Sequence, residues 1–343
     1  MRRVSIAKPG GYDRLQIIEE PTPSPRAGQV LVETAAVGVN YADCIVRMGL
    51  YSSGKKYIGW PITPGFEFAG RVASVGEGVS DWRQGDEVLG LTLFGGYSSH
   101  VVVPSHQLFR KPAGWSMVRA ACFPTVHLTA WYALCEIGKP RRGQRVLIHS
   151  AAGGVGTAAL GICRHLEMEA VGVVGSAHKV EVARAAGAAA VIDKSTEALW
   201  EAARTHAPRG YDIVLESSGV ETIRGSYRAL RPTGRLVVFG LSTMLPRGGK
   251  RVSRWKLLIH FLRMPRFNPV FMVDSNKTVA AFNLSYLIEE QELLGEAMDQ
   301  LLGWAAHGSL VEPTIATYAL EDVGRAQADL ESGSTVGKLV LIP

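Results

Sequence analysis

The chain has 343 residues, enough for about two domains of ordinary size. Hydrophobic residues make up 47% of it and charged residues 20%, which is typical of a folded globular protein and argues against extensive disorder. The net charge of +6 raises the question of an acidic partner: nucleic acid, an anionic membrane or a phosphorylated cofactor.

The sequence also indicates the cellular compartment in which the protein is expected. The chain contains no run of about 18 apolar residues, so no transmembrane helix is expected. The first residues lack the apolar core of a signal peptide. The four cysteines lie far apart without a C-x-x-C pair, which argues against a disulfide scaffold and a four-thiolate zinc lobe. We therefore expect a cytoplasmic protein.

The first 125 residues predict a β-rich domain. Short strands are expected over 29–34, 70–75 and 87–90, the last after a Gly-Asp turn. Frequent turns and little helical periodicity are typical of a barrel or sandwich.

The pattern changes near Leu128, where apolar runs begin to alternate with helical segments. This alternation is typical of βαβ units and a parallel sheet. The predicted strands are 145–149, 170–174, 190–193, 212–216 and 235–240, with helices such as 177–187 and 196–205 between them.

The C-terminal third predicts a further strand at 270–273, a helix over 292–306 and a closing strand at 337–342. The tail has the β character of the N-terminal region. We expect it to fold back onto that region and make the first domain discontinuous.

A glycine-rich segment, residues 151–156 (AAGGVG), follows the strand 145–149 and opens a helix. It is a G-x-G-x-x-G pattern with Ala in the first position. Gly153 would let the backbone approach a pyrophosphate, and Gly156 would allow close packing of helix and strand. The pattern predicts dinucleotide binding; a glycine-rich turn in another α/β fold is the alternative.

The end of the second strand predicts which dinucleotide is bound. NAD sites have Asp or Glu there for the ribose 2′-hydroxyl, whereas this chain has residues 174–179 (VGSAHK). Ser176 can donate to a 2′-phosphate and Lys179 supplies positive charge. The segment favours NADPH, unless Lys179 is only a solvated residue of the first helical turn.

Other catalytic patterns are missing from the sequence. The histidines form neither H-x-x-x-H nor H-E-x-x-H, and no G-x-S-x-G elbow occurs. No metal site is predicted. A dinucleotide brings its own hydride chemistry, so the protein need only position a substrate and polarise its oxygen.

Several motifs are spread over nearly the whole chain: residues 37–43, 64–70, 85–88, 128–130, 151–156 and 337–340. Together they resemble the medium-chain dehydrogenase/reductase superfamily. Zinc alcohol dehydrogenases of that superfamily have Cys where Asn40 stands and His where Phe66 stands, and neither replacement can bind zinc. The chain therefore resembles the zinc-independent quinone oxidoreductase branch. Residues 49–51, the insertion after Gly240 and residues 281–287 resemble, within that branch, the synaptic vesicle membrane (vesicle amine transport) protein group.

The resemblance implies an α/β fold: a doubly wound Rossmann parallel sheet plus a discontinuous GroES-like β-rich domain. We place the GroES-like domain at 1–126 and 288–343 and the NADPH-binding Rossmann domain at 127–287, with a basic insertion at 241–269. It also implies NADPH-dependent hydride transfer to a quinone or an α,β-unsaturated carbonyl, and assembly as a homodimer.

The resemblance also assigns site residues by position. Asn40, Asp43 and Tyr51 are the catalytic candidates; for the first two, loop-stabilising hydrogen bonds are the alternative, and for Tyr51, packing alone. Relatives often have Tyr where this chain has Lys194, so aromatic stacking on adenine is lost. The cofactor-binding candidates are Thr129, Ala152, Gly153, Gly154, Val155, Gly156, Ser176, Lys179, Gly240, Phe282, Leu284 and Lys338.

The net positive charge is concentrated in one segment. Residues 247–266 contain seven basic side chains and no acidic one, interleaved with Trp255 and other apolar residues. Such a segment can lie on an anionic membrane surface; a lid over the cleft and an oligomer contact are alternatives. Nucleic acid binding is not expected, because no recognised module supports it.

Two other functions remain open at this point. An enoyl-thioester reductase would share the fold and the cofactor. A weakly catalytic NADPH-binding protein would act through membrane or partner contact instead.

Overall fold

A computed structural model describes residues 1–245 and 253–343, and all of Arg254 except its side chain. The basic residues Arg247, Lys250 and Arg251 lie outside the described residues. The strands are Arg2–Ser5 (β1), Gln16–Glu19 (β2), Gln29–Val39 (β3), Glu67–Val75 (β4), Glu87–Leu91 (β5), His100–Pro104 (β6), Leu108–Arg110 (β7), Arg145–Ile148 (β8), Glu169–Val174 (β9), Ala190–Asp193 (β10), Tyr211–Glu216 (β11), Leu230–Val238 (β12), Thr278–Ala281 (β13), Ile315–Ala319 (β14) and Lys338–Ile342 (β15).

Helices flank both groups of strands. They are Tyr41–Arg47 (α1), Ser52–Tyr57 (α2), Met117–Ala121 (α3), Pro124–Trp131 (α4), Gly154–His165 (α5), Val180–Ala185 (α6), Leu199–His206 (α7), Ile223–Ala229 (α8), Arg254–Arg263 (α9), Pro269–Ser275 (α10), Gln291–Ala306 (α11) and Val323–Ser332 (α12).

The second half of the chain forms the expected parallel sheet, in the order β10-β9-β8-β11-β12-β13. Its central strands are apolar and buried because helices cover both faces; every residue of β11 is buried. Counted from β8, this is the doubly wound order 3-2-1-4-5-6, in which the order of the strands reverses between β8 and β11 while all strands stay parallel. Ligands of such sheets bind at the carboxyl ends of the strands beside that reversal.

The strands of the first half, joined by β14 and β15 from the C-terminal region, form a mainly antiparallel sheet in the order β14-β15-β3-β4-β5-β7, with β6 also paired to β3. The closing strand β15 runs antiparallel to β3, with Leu339 opposite Val39. The tail therefore folds back onto the N-terminal sheet, as its β character predicts.

The strand predicted at 270–273 is wrong, because these residues lie in α10. Asn268 caps this helix by accepting from the Val270 amide at 2.9 Å, and Pro269 occupies the first turn. Asn276 ends it in the left-handed conformation. The strand that completes the sheet is β13, which pairs with β12 a few residues later.

The helices α9 and α10 expose apolar side chains to solvent. On α9 these are Trp255, at 74% exposure, and Leu258, Ile259, Phe261 and Leu262. On α10 they are Val270, Phe271 and Val273, the last at 79% exposure. Leu257 of α9 instead lines the cleft described below. Among the described residues, no helix has both the length and the apolar character needed to cross a bilayer.

Candidate functional site

A cleft of about 940 Å³ lies at the carboxyl ends of the parallel strands, between that sheet and the N-terminal β-rich part. This is the position that the reversal of strand order indicates for a ligand. Two of the predicted site residues, Asp43 and Ser176, do not line it. Those that do are Asn40, Tyr51, Thr129, Ala152, Gly153, Gly154, Val155, Gly156, Lys179, Gly240, Phe282, Leu284 and Lys338.

The glycine-rich loop presents an open helix N-terminus to this cleft. Gly153 is the N-cap of α5, has extended backbone angles and provides no side-chain cap. The first amide N–H groups of a helix have no partner within it, so they are available to an anion. At Gly156 an added Cβ would collide with the Ser150 carbonyl oxygen. Glycine there allows α5 to start close to β8, and the loop fits a pyrophosphate.

The ends of β9 and β10 supply two lysines to the same cleft. Lys179 and Lys194 both line it, together with Gly175. The Lys179 ammonium donates to the Gly333 carbonyl oxygen at 2.5 Å. Ser176 is half-buried outside the lining. This end of the cleft, Gly175 with Lys179 and Lys194, is called the lysine end below.

A buried polar cluster lines the cleft between β3 and β15. Lys338 Nζ donates to Asn40 Oδ1 at 2.8 Å, to Glu67 Oε1 at 2.7 Å and to the Val39 carbonyl oxygen at 2.9 Å. Asn40 Nδ2 donates to Glu67 Oε1 at 2.8 Å. We call Asn40, Glu67 and Lys338 the buried triad. All three ammonium hydrogens of Lys338 are used within the protein, and the Asn40 amide is held in one orientation.

Asp43 lies beneath the cleft and caps the first turn of α1. Its carboxylate accepts the Asn40 amide and the Gly65 amide, each at 2.8 Å. It is fully buried, and burial raises its pKa to about 7. These contacts fit the loop-stabilising alternative for Asp43, which fixes the backbone of Asn40.

Aromatic side chains form the wall of the cleft near α2. The rings of Tyr51 and Phe66 lie 5.5 Å apart and those of Phe66 and Phe94 lie 5.2 Å apart. The Tyr51 hydroxyl donates to Asn283 Oδ1 at 2.9 Å and lies 2.8 Å from Ser285 Oγ. Burial raises the pKa of Tyr51, so the hydroxyl is protonated at neutral pH.

The positions that hold zinc in related dehydrogenases have other contacts here. The Asn40 amide belongs to the buried triad, and Phe66 packs in an apolar cluster with Ile62 and Phe94. Within residues 1–245 and 253–343, no group of three or more His, Cys, Asp or Glu side chains is arranged to hold a metal ion.

Sequence reasoning missed four residues of this region. Glu67 was noted only as part of a motif, although it joins Asn40 to Lys338. Asn283 and Ser285, which contact Tyr51, were likewise noted only as part of the motif 281–287. Lys194 was noted as the loss of an aromatic ring, whereas its position at the end of the third parallel strand could have identified it as a cation in the cleft.

Comparisons with known proteins agree with this architecture. The family model described as "Alcohol dehydrogenase GroES-like domain" matches residues 26–113, and the one described as "Zinc-binding dehydrogenase" matches 154–280. A Danio rerio protein named "Synaptic vesicle membrane protein VAT-1 homolog" is 34% identical over 333 residues, 97% of this chain and 68% of that protein.

Solved structures show the same fold. The Escherichia coli quinone oxidoreductase complexed with NADPH superposes with a TM-score of 0.87 at 30% identity, covering 100% of both chains. The CurK enoyl reductase superposes with a TM-score of 0.84 at 29% identity, covering 99% of this chain and 98% of that one. The fold is thus the expected Rossmann parallel sheet with a GroES-like domain, and the chain belongs to the medium-chain dehydrogenase/reductase superfamily, in the quinone oxidoreductase branch close to VAT-1.

Proposed function

We propose that this protein is a zinc-independent, NADPH-dependent oxidoreductase that transfers a hydride to a quinone or an α,β-unsaturated carbonyl. The observation that carries the proposal is a single cleft that joins an open helix N-terminus, a lysine end and an aromatic wall. A phosphate-rich cofactor fits the first two features and an apolar conjugated substrate fits the third.

The residues present fit NADPH. The amides at the start of α5 would hold the pyrophosphate, and Lys179 would face the 2′-phosphate. Thr129, Gly240, Phe282 and Leu284 would line the rest of its site. When bound, NADPH supplies the hydride. That NADPH occupies the Escherichia coli neighbour of the same fold supports this choice.

The chain's own residues orient the substrate and hold the proton that the substrate oxygen would receive. The buried triad fixes the Asn40 amide at the cleft, and Asp43 fixes its backbone. The Tyr51 hydroxyl keeps its proton and donates it in a hydrogen bond to Asn283 Oδ1; a substrate oxygen that replaced this acceptor would receive the hydrogen bond and could take the proton. The apolar side chains of Phe66 and Leu257 exclude water from the cleft.

Zinc independence rests on the chemistry at the two ligand positions. A phenyl ring cannot bind a metal, and an amide already bonded to Lys338 and Glu67 is a poor substitute for a thiolate. Neither position offers a ligand that zinc prefers.

Two alternatives follow from the relatives. The match to the CurK enoyl reductase supports an enoyl-thioester substrate in the same cleft. The VAT-1 relatives are named as vesicle membrane proteins, which supports a weakly catalytic NADPH-binding protein that acts at a membrane.

The exposed faces of α9 and α10 support an assembly. Contiguous exposed apolar surface marks an interaction site, and α10 directly precedes β13, the last strand in the order of the parallel sheet. We propose a cytoplasmic homodimer that buries this surface, with residues 1–126 and 288–343 as one domain and 127–287 as the other. Peripheral membrane contact through the basic segment 247–266 is the competing proposal.

NADPH oxidation measured against a panel of quinones, enones and crotonyl-type thioesters tests the proposal. Turnover with quinones or enones supports it, and turnover with thioesters alone favours the enoyl reductase. No turnover, together with liposome binding that is lost when the basic residues 250–256 are neutralised, would reject it in favour of the membrane function. Light scattering of the purified protein reports whether it is a dimer.

A further inference from the structure

Lys194 is a cation at the cleft that sequence patterns did not assign. It directly follows β10, and its backbone amide donates to the Val174 carbonyl oxygen at the end of β9. A Cβ placed on Gly175 would lie 3.6 Å from Lys194 Cε. The side chain therefore passes over the end of the second parallel strand, where dinucleotide sites contact the adenosine ribose.

The Lys194 ammonium is available to a ligand. It is exposed, and within residues 1–245 and 253–343 it has no hydrogen-bond or ion-pair partner. The neighbouring acid Asp193 forms no ion pair with it; the Asp193 carboxylate instead accepts from Ser195 Oγ at 2.6 Å and from the Ser195 amide at 2.9 Å. An ammonium held beside a cleft without a counter-ion favours an anionic ligand there.

The other predicted phosphate ligands are placed less favourably. Ser176 is outside the lining of the cleft, and Lys179 already donates to the Gly333 carbonyl oxygen. Lys194 and Lys179 both line the cleft, and Gly175, which approaches the Lys194 side chain, lines it as well. Two ammonium groups at one site suit a phosphate dianion better than a ribose hydroxyl.

We propose that Lys194 binds the 2′-phosphate of the adenosine ribose and sets the preference for NADPH over NADH. The inference rests on the proposed dinucleotide function and adds to it a specificity-determining residue. A lysine in this position gives charge where an aromatic side chain would give stacking. Because the ammonium is exposed, its contribution is weakened by salt.

The test measures nucleotide affinity without turnover. NADPH and NADH are titrated by fluorescence into the full chain, and 2′,5′-ADP and 5′-AMP by calorimetry. We expect Lys194→Ala to weaken binding of NADPH and 2′,5′-ADP about tenfold and to leave NADH and 5′-AMP unchanged. Lys194→Arg should retain the preference, and Lys8→Ala, the same charge change at an exposed position outside the cleft, should bind as the wild type does.

Salt dependence gives a second readout. Raising the salt concentration from about 0.05 M to about 0.5 M should reduce the wild-type preference for NADPH more than that of Lys194→Ala. Circular dichroism establishes that each variant is folded before it is titrated.

The outcomes separate this inference from the function on which it rests. A wild type that binds NADPH tightly, with an unchanged NADPH-to-NADH ratio in Lys194→Ala, overturns the inference alone. Equal weakening of both nucleotides also overturns it, because the side chain would then contact something other than the 2′-phosphate. A wild type that binds neither nucleotide overturns the proposed function as well.

Discussion

Two lysines that line the same cleft, Lys338 and Lys194, are in contrasting surroundings. Lys338 is 3% exposed and its ammonium donates to three oxygens of the protein. Lys194 is exposed and has no such partner among the described residues. A charge that is already paired stabilises and orients its neighbours, whereas an unpaired exposed charge is available to a ligand. Variants of the buried triad should therefore change stability, and variants of the lysine end should change affinity.

The largest effect is expected for Lys338→Met. Removing the ammonium leaves the fully buried Glu67 carboxylate without its counter-ion, which costs about 3–5 kcal/mol in the free energy of unfolding. Urea denaturation measures it. Lys139→Met, which breaks an exposed pair with Glu136, is the matched control and should cost less than about 1 kcal/mol.

A double variant sharpens this prediction. In Glu67→Gln/Lys338→Met the buried triad carries no charge, so part of the lost stability should return. If Lys338→Met alone were as stable as the wild type, the buried triad would not be a stabilising unit.

A smaller effect is expected from pH, through His127. Burial, aided by Lys338, lowers the pKa of His127 to about 4, and its Nδ1 donates to the Phe123 carbonyl oxygen at 2.8 Å. The folded protein therefore disfavours the imidazolium, so stability falls as the pH drops below the unfolded pKa of 6.5 toward 4.

Comparison with His127→Phe isolates that contribution. Between about pH 7 and about pH 5 the wild type should lose about 2 kcal/mol more than the variant does. Parallel urea denaturation at the two pH values measures the difference. Identical pH dependence in the two proteins would mean that His127 is accessible to protons in the folded state.

The third prediction concerns Tyr51, which is half-buried and lines the cleft with a hydroxyl group. Tyr51→Phe keeps the ring contacts with Phe66 and Phe94 and removes the proton, so turnover should fall about tenfold while NADPH affinity changes little. Steady-state kinetics with the best substrate of the panel measure it. Tyr57→Phe, outside the cleft lining, should leave kcat unchanged; unchanged kinetics in Tyr51→Phe would reject Tyr51 as the proton donor.

The smallest effect is expected for Ser176→Ala, next to the lysine end in sequence but outside the cleft lining. The Ser176 hydroxyl does not line the cleft, so NADPH affinity should change less than about twofold, against about tenfold for Lys194→Ala. Fluorescence titration compares the two variants. A larger loss for Ser176→Ala than for Lys194→Ala would reverse the assignment of the phosphate ligands.

The parts of the fold that sequence predicts are those set by local pattern. Buried strands such as β11 and the glycine loop at the start of α5 follow from apolar runs and from glycine at close approaches. The strand prediction for residues 270–273 was wrong because a short apolar run fits a helix as well as a strand. The caps Asn268 and Asn276 favour the helix here.

The candidate site was predictable only where a motif or a family resemblance reached it. The family resemblance predicted that Asn40 and Lys338 line the cleft. It did not predict that they contact each other, because residues about three hundred positions apart cannot be paired by spacing, and Glu67 joins them only in the folded structure. The availability of Lys194 depends on what its neighbours bind, such as Asp193 turning to Ser195. No sequence pattern carries that information.

The pairing of β15 with β3 has a consequence for synthesis of the chain. Glu67 and Asn40 leave the ribosome long before Lys338, and a nascent chain folds from its N-terminal side at about 5–20 residues per second. Until the last strand arrives, the N-terminal sheet must either leave the Glu67 carboxylate in water or bury it unpaired. Completion of the cleft thus waits until β15 has been synthesised, and the nucleotide can stabilise only a chain that already contains this strand.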